Sequence, residues 1–151
     1  MSPTPEPQSR LSDFLPYLLS ITSNAVSDRI AEEYHARFGL RIAEWRVMAV
    51  LGDLGGQTQR ELVGATRMDK VAVNRACKVL EARKLIARSP NDRDGRSHHL
   101  ELTAAGRSVF DEIMPIALAM EDRLFAPLKG SEREKFKALL AQVSALAQGK
   151  D

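Results

Sequence analysis

Residues 58–103 read TQRELVGATRMDKVAVNRACKVLEARKLIARSPNDRDGRSHHLELT, and this stretch decides the fold. Its first four residues, Thr58-Gln-Arg-Glu61, form a capping-box pattern that predicts a short helix through about Gly64. Asp69 is then expected to cap a longer helix that ends near Lys84, because its carboxylate can accept an otherwise unpaired backbone N–H. The sequence therefore predicts two consecutive helices joined by a turn.

A hairpin is expected to follow the second of these helices. Residues 86–89 and 97–103 alternate apolar and polar side chains, and they flank a charged segment from Pro90 to Arg96. Two helices followed by such a hairpin are typical of a winged helix-turn-helix that holds DNA. The predicted fold class is mainly α with a small β wing, and residues 40–103 are expected to form the DNA-binding domain.

Positive charge is concentrated in the same stretch. Residues 58–103 hold ten Lys or Arg against six Asp or Glu, so a net charge of +4 lies there while the rest of the chain sums to −2. A local positive field of this kind favours a polyanion at one surface. Double-stranded DNA is the expected partner.

The longer of the two helices has a buried and an outward face. Val73, Cys77 and Leu80 share one face by their spacing, and the outward face is expected to contact DNA. Asn can pair with adenine, Arg or Lys with guanine or a phosphate, and Val with a thymine methyl group. The alternative is an ordinary solvated basic face, which the neighbouring helix and hairpin disfavour. The outward residues are Lys70, Val71, Asn74, Arg75 and Lys78.

The hairpin tip carries two further candidate contacts. Arg93 and Arg96 lie three residues apart, and Gly95 allows the turn between the strands. Arginine is favoured in narrow minor grooves, since its guanidinium is weakly hydrated and meets an enhanced negative potential there. A solubilising loop is the alternative, but it does not explain why these charges follow a helix-turn-helix.

Long helices are predicted on both sides of the DNA-binding domain. Residues 11–38 and 104–148 carry wide apolar stripes, and the last helix is expected to start at a second capping box, Ser131 to Glu134. A partner subunit is the expected cover for these stripes, so both regions are interpreted as a helical dimerisation region. A monomer with folded-back terminal helices is the alternative. Residues 1–10 hold three prolines and predict a disordered arm.

Composition argues against several other classes of protein. The chain is 44% apolar and 28% charged, with no apolar run near 18 residues and no signal peptide, which predicts a cytoplasmic protein without membrane contact. One cysteine and three histidines do not supply a disulfide framework or a usual zinc site, so no metal or cofactor is expected. His98 and His99 point to opposite faces of a predicted strand, and no catalytic residues stand out. The chain is not expected to be an enzyme.

The chain resembles the MarR family of bacterial transcription regulators over residues 12–147. The order of elements matches, and the family's wing pattern, Asp-x-Arg-Asp-x-Arg, corresponds to Asn-Asp-Arg-Asp-Gly-Arg at residues 91–96 here. The family-like segment Leu-Glu-Leu-Thr-Ala-Ala-Gly follows. Asn91 is the one departure, since the family usually has Asp at this position.

This resemblance implies a homodimer that binds a pseudo-palindromic operator, with half-sites about one helical turn apart, and that acts as a repressor. It further implies base or phosphate contacts for Lys70, Asn74 and Arg75, and a minor-groove contact for Arg93. Gln59 and Arg60 are expected near the DNA backbone. An architectural or protein-binding winged-helix module without a ligand switch is the alternative function.

Family members commonly bind small aromatic or phenolic acids and then release DNA. Trp45 and Met48 are candidates to line such a site, with His35 or Arg46 meeting the carboxylate or phenol. The alternative is that Trp45 and Met48 only pack under the first helix. The family also includes thiol-based regulators, but Cys77 lies on the inward face in mid-helix, which favours packing over a redox role.

Overall fold

The computed structural model describes residues 10–91 and 94–149, and the side chains of those residues outside 91–96. The described chain is mainly helical with a small antiparallel sheet, which confirms the expected fold class. Apart from Arg10, the predicted N-terminal arm lies outside the described residues. The elements are a 3₁₀ turn (Leu11–Asp13), α1 (Leu15–Phe38), α2 (Ile42–Leu54), β1 (Gln57–Thr58), α3 (Gln59–Thr66), α4 (Lys70–Ala82), β2 (Ile86–Asn91), β3 (Asp94–Leu102), α5 (Ala104–Leu124) and α6 (Ser131–Ala147).

Side-chain caps fix where α3 and α4 begin. Thr58 Oγ1 accepts from the Glu61 backbone N–H at 3.1 Å, and the Thr58 N–H donates to Glu61 Oε1 at 3.4 Å, so the expected capping box is formed. Asp69 Oδ1 accepts from the Ala72 N–H at 2.8 Å, which confirms its role as the N-cap of α4. Each cap satisfies a backbone donor that the helix itself leaves unpaired, so the sequence sets both starting points.

The turn between α3 and α4 is also held by a side chain. Thr66 Oγ1 donates to the Leu62 carbonyl at 2.6 Å and accepts from the Met68 N–H at 3.3 Å. Arg67 takes a left-handed conformation with φ of 59° and ends α3, two residues later than the sequence predicts. This turn sets the angle at which α4 leaves α3.

The core of this region lies where α2 packs against α3 and α4. The expected inward side chains of α4, Val73, Cys77 and Leu80, are fully buried. Leu62 of α3 and Leu51 of α2 are buried with them. Each such side chain stabilises the fold by roughly 1.5–3 kcal/mol through removal from water. The opposite face of α4 is thereby left on the outside.

The sheet has three antiparallel strands in the order β1-β3-β2. Ile86 pairs with Leu102 across the expected hairpin, and a register irregularity occurs between Pro90 and Asn91. β1 was not predicted, and its Gln57 pairs with Leu100 on the far side of β3. The added strand attaches the hairpin to the start of α3, so wing and helices share one framework.

The end of α1 is joined to the residue that follows α4. Gly39 ends α1 with φ of 65°, a left-handed conformation that glycine adopts without strain. The Arg83 guanidinium, just after α4, donates to the Phe38 carbonyl at 2.8 Å and to the Gly39 carbonyl at 3.2 Å. The end of the first helix is therefore tied to the end of α4.

The chain divides into two compact units, one up to Met114 and one from Pro115 onward. Within the second unit, Arg133 donates to Asp122 at 3.1 Å and to the Phe125 carbonyl at 3.1 Å, which fastens the start of α6 to the end of α5. The capping box expected at Ser131 is wrong, because Gly130 with φ of 51° occupies the N-cap position and no side chain caps α6. The division of the chain into dimerisation and DNA-binding regions stays a prediction.

A membrane-spanning helix is not found in the described part of the chain.

Candidate nucleic-acid interface

The outward face of α4 is mostly open to solvent. Lys70, Arg75 and Lys78 are exposed cations on this face, whereas Asn74 is half-buried. Val71 is 61% exposed although it is apolar, so contact with a thymine methyl group would remove unfavourable hydrated surface. The five residues predicted from spacing thus lie on the face that the core leaves free.

The start of α3 lies against this face. Gln59 is half-buried, and its Nε2 donates to Asn74 Oδ1 at 3.3 Å. Arg60, the next residue, is exposed. The structure therefore brings Gln59 into direct contact with the central polar residue of α4, while Arg60 stays available at the surface.

Arg88 and Glu81 belong to the same group of side chains, although the sequence predicts a role for neither. Arg88 Nη2 donates to Gln59 Oε1 at 3.4 Å, and Arg88 Nε forms a hydrogen-bonded ion pair with Glu81 Oε1. Strand alternation gives one indication of this contact, since Arg88 shares a face of β2 with buried Ile86.

The wing contacts are only partly within the described residues. Arg93 lies outside them, and Arg96 belongs to β3 but its side chain is not described. Both contacts stay predictions. The position of the hairpin is nevertheless defined by its pairing, from Ile86 with Leu102 up to Asn91 with Asp94.

The candidate ligand residues separate into buried and exposed pairs. Met48 is fully buried and Trp45 is half-buried, whereas His35 and Arg46 are exposed. Trp45 makes an edge contact with Tyr34 of α1, with ring centroids 5.2 Å apart. These contacts are those of the packing alternative, and a ligand role for the four residues stays a prediction.

Trp45 also stacks on Phe110 of α5, with ring centroids 5.9 Å apart and planes at 28°. Gly52 allows this arrangement, because a Cβ there would lie 2.3 Å from the Phe110 ring. The Arg107 guanidinium covers the same ring at 5.2 Å from its centroid. Tyr34, Trp45 and Phe110 thus form an aromatic row that links α1, α2 and the start of α5.

Cys77 does not have the surroundings of a reactive thiol. It is fully buried, and burial raises the pKa of its thiol to about 11, with Arg88 lowering it and Glu81 raising it further to a smaller extent. Reactive cysteines need the opposite, a lowered pKa and solvent access. In the described residues, no three His, Cys, Asp or Glu side chains cluster in a way that can hold a metal ion.

Comparison with known proteins places this geometry in a family. The model of the MarR family matches residues 38–97. A MarR-family transcriptional regulator from Silicibacter pomeroyi is 30% identical, covers 89% of this chain and 90% of its own, and superimposes with a TM-score of 0.76. The chain belongs to the MarR family. It is therefore a winged-helix, DNA-binding regulator of transcription, and its relatives are regulators rather than enzymes.

Two further MarR-family relatives carry more specific names. The repressor NicR of Pseudomonas putida is 30% identical over 96 residues, which is 64% of this chain and 61% of that protein, so the match spans less than two thirds of NicR. BpsR of Bordetella bronchiseptica is 27% identical, with a TM-score of 0.71 over 84% of this chain and 98% of its own. The DNA binding of BpsR is regulated by 6-hydroxynicotinic acid.

Proposed function

We propose that this MarR-family protein is a homodimeric repressor that binds a pseudo-palindromic operator and is released by a small aromatic or phenolic acid. The observation that carries the proposal is the outward face of α4. Three exposed cations, an amide and an exposed valine lie there on a helix whose other face is buried. This set offers donors and an acceptor for base edges, charges for phosphates and a methyl contact for thymine.

Exposed apolar side chains support the dimer. Leu15 at the start of α1 is 76% exposed, and Leu146 near the end of α6 is 72% exposed. None of the described α6 side chains is buried, although Leu139 and Val143 extend its apolar stripe. Monomeric proteins rarely leave such stripes uncovered, so a second copy of the chain is the proposed cover. A two-fold dimer presents two copies of α4 to two half-sites.

The name of one relative and the aromatic row support the ligand. BpsR responds to 6-hydroxynicotinic acid, a hydroxylated aromatic acid. In this chain an aromatic ligand beside Trp45 would compete with its ring contacts to Tyr34 and Phe110, while exposed His35 or Arg46 offers a charge for the acid. A shift of α1 would reach α4 through the Arg83 contacts with Phe38 and Gly39.

Selection of bound duplexes from a random pool tests the DNA-binding part. We expect enrichment of an inverted repeat, with affinity that falls steeply as salt rises. The alternative, an architectural module, keeps the salt dependence but shows no sequence preference. A protein that enriches no sequence, or binds no duplex at low salt, would refute the proposed function.

Titration with 6-hydroxynicotinic acid and related aromatic acids tests the ligand part. A true effector lowers operator affinity, and by linkage the operator lowers effector affinity by the same factor. Binding of an acid without this reciprocity would show that the acid is not an effector. Arg83→Gln, which weakens the tie between α1 and α4, is expected to reduce the coupling factor.

A further inference from the structure

We propose that Arg88 and Glu81 set the sequence preference of this protein by orienting Asn74 through Gln59. Neither residue belongs to the expected DNA contacts, and both act here as positioning residues. The inference rests on the proposed function, because it concerns how the outward face of α4 discriminates between bases. It adds a series of four side chains that begins at Glu81 near the end of α4, passes through Arg88 of β2 and Gln59 of α3, and returns to α4 at Asn74.

The two contacts of Arg88 have only one possible direction, and they fix the direction of the contact between Gln59 and Asn74. A carboxylate only accepts and a guanidinium only donates, so Glu81 fixes one edge of Arg88 and Arg88 donates from another edge to Gln59. Gln59 must therefore turn its Oε1 toward Arg88, which leaves its Nε2 to face α4. That Nε2 donates to Asn74 Oδ1 at 3.3 Å. The charge of Arg88 thus selects one of the two amide orientations at Gln59.

The orientation of Gln59 also fixes the orientation of the Asn74 amide. Because Oδ1 is held toward Gln59, the Nδ2 group is the donor that Asn74 offers to a base, and Oδ1 keeps a second lone pair. Pairing with adenine N7 and N6 needs this donor and acceptor in a fixed arrangement. An amide that is already oriented loses less conformational entropy when it binds a base that matches its orientation. The series of four side chains therefore favours adenine over the other bases.

The charges around Arg88 argue against a simple phosphate contact. Its side chain is 37% exposed and is paired with Glu81, which is 26% exposed, so the pair adds no net positive charge. A free cation would attract every duplex alike. A neutral pair that holds an amide instead affects the difference between duplexes, which is the quantity that defines specificity.

Arg88→Lys separates these two roles because it keeps the charge. A single ammonium on a flexible stem cannot reproduce the geometry in which Nε binds Glu81 while Nη2 binds Gln59. We expect the ratio of operator to random-duplex affinity to fall about tenfold, with random-duplex affinity and salt slope unchanged. Arg37→Lys is the matched control, since Arg37 is also paired with a carboxylate, Glu33 at 3.2 Å on α1; it should leave the ratio unchanged.

Glu81→Ala and Arg88→Ala change the net charge in opposite directions. As positioning residues both lower the ratio, whereas a simple charge effect moves random-duplex affinity up for the first and down for the second. In an Asn74→Ala background, Arg88→Lys should have no further effect on the ratio, because its action passes through Asn74. Thermal unfolding identifies any variant that fails to fold. In that case Gln59→Met is measured instead, because it removes the side chain that connects Arg88 with Asn74.

A wild-type ratio retained by Arg88→Lys and by Gln59→Met would overturn the inference while leaving the proposed function intact. A tenfold loss that persists in the Asn74→Ala background would also overturn it, since Arg88 would then act on DNA directly. A wild-type protein that prefers no duplex is a different outcome, because it refutes the proposed function itself.

Discussion

The helix-turn-helix and the last helix treat their apolar side chains in opposite ways. Over 13 residues, α4 buries Val73, Ala76, Cys77 and Leu80 within its own chain. Over 17 residues, α6 buries none of its described side chains, and Leu139, Val143 and Leu146 of its stripe stay exposed. The apolar face of α4 is covered within one copy of the chain, whereas the apolar stripe of α6 is the surface that the proposed dimer would cover.

This difference separates two sources of stability. The caps, the turn and the core around α4 are all supplied within the first unit. In the proposed dimer, a second copy of the chain covers the apolar stripe of α6, and that part of the stability would depend on protein concentration.

Charges placed on the α6 stripe should have the largest effect. Leu139→Glu combined with Val143→Glu puts uncompensated carboxylates into the proposed interface, which costs about 4 kcal/mol or more of association free energy. Sedimentation is expected to give a monomer, while the fluorescence of Trp45, the one tryptophan, stays as in the wild type. Ala141→Glu adds one carboxylate to the opposite, exposed face of α6 and should leave the dimer intact. A double variant that sediments as the wild type would contradict the proposed role of this stripe.

An added methyl group at Gly106 should destabilise the first unit. A Cβ there would lie 1.9 Å from the Leu85 carbonyl oxygen, and this backbone atom has little room to move because Thr103 N–H already donates to it at 3.0 Å. We expect Gly106→Ala to lower the free energy of unfolding by about 3 kcal/mol or more. Urea denaturation measures the loss. Gly64→Ala is the control, since a Cβ there has open space, and it should stabilise by about 0.5–1 kcal/mol.

Two substitutions on the outward face of α4 should separate specificity from general affinity. Asn74→Ala is expected to cost about 1–3 kcal/mol of discrimination against other sequences, with little change for random duplex. Lys70→Ala should instead weaken binding to every duplex and reduce the salt slope by about one. Fluorescence titrations with operator and random duplexes measure both. Equal effects of the two variants on both duplexes would show that the face does not read bases.

Alkaline pH should destabilise the first unit slightly. Burial raises the pKa of Cys77 in the folded chain to about 11, above its pKa in the unfolded chain. At pH values between these two pKa values, the thiol is ionised mainly in the unfolded chain. The contribution of this thiol to the free energy of unfolding is therefore fully present below the unfolded pKa. It falls as pH rises toward 11, by up to roughly 1 kcal/mol per pH unit. Tyr34, whose pKa burial also raises, acts in the same direction. Cys77→Ala should flatten this slope in urea midpoints measured against pH, and an unchanged slope would contradict the assignment.

The sequence predicts the parts of this molecule that depend on local contacts. Thr58 and Asp69 act within four residues of themselves, and their roles as caps are confirmed. The buried face of α4 follows from helical spacing alone, because every third or fourth residue must meet the core. The expected cap at Ser131 failed by one position, since Gly130 took the N-cap conformation instead.

The contacts around Asn74 depend on the tertiary arrangement, and the sequence did not reveal them. Gln59 and Asn74 are 15 residues apart, and Arg88 is 29 residues from Gln59. β1 has only two residues, too few for any periodicity, and its partners lie in β3. Such contacts exist only once the helices and the sheet have packed, so spacing identified the members of the surface but not the side chains that hold them.

The most direct test of the account is operator binding when the two half-sites are moved apart by half a helical turn. Two copies of α4 held by one dimer should lose most of their affinity for this operator, since only one half-site can then face the protein. Affinity measured against the selected operator under the same salt gives the comparison. Equal affinity for the two operators would contradict the claim that two copies of α4, one from each subunit, bind one face of a duplex.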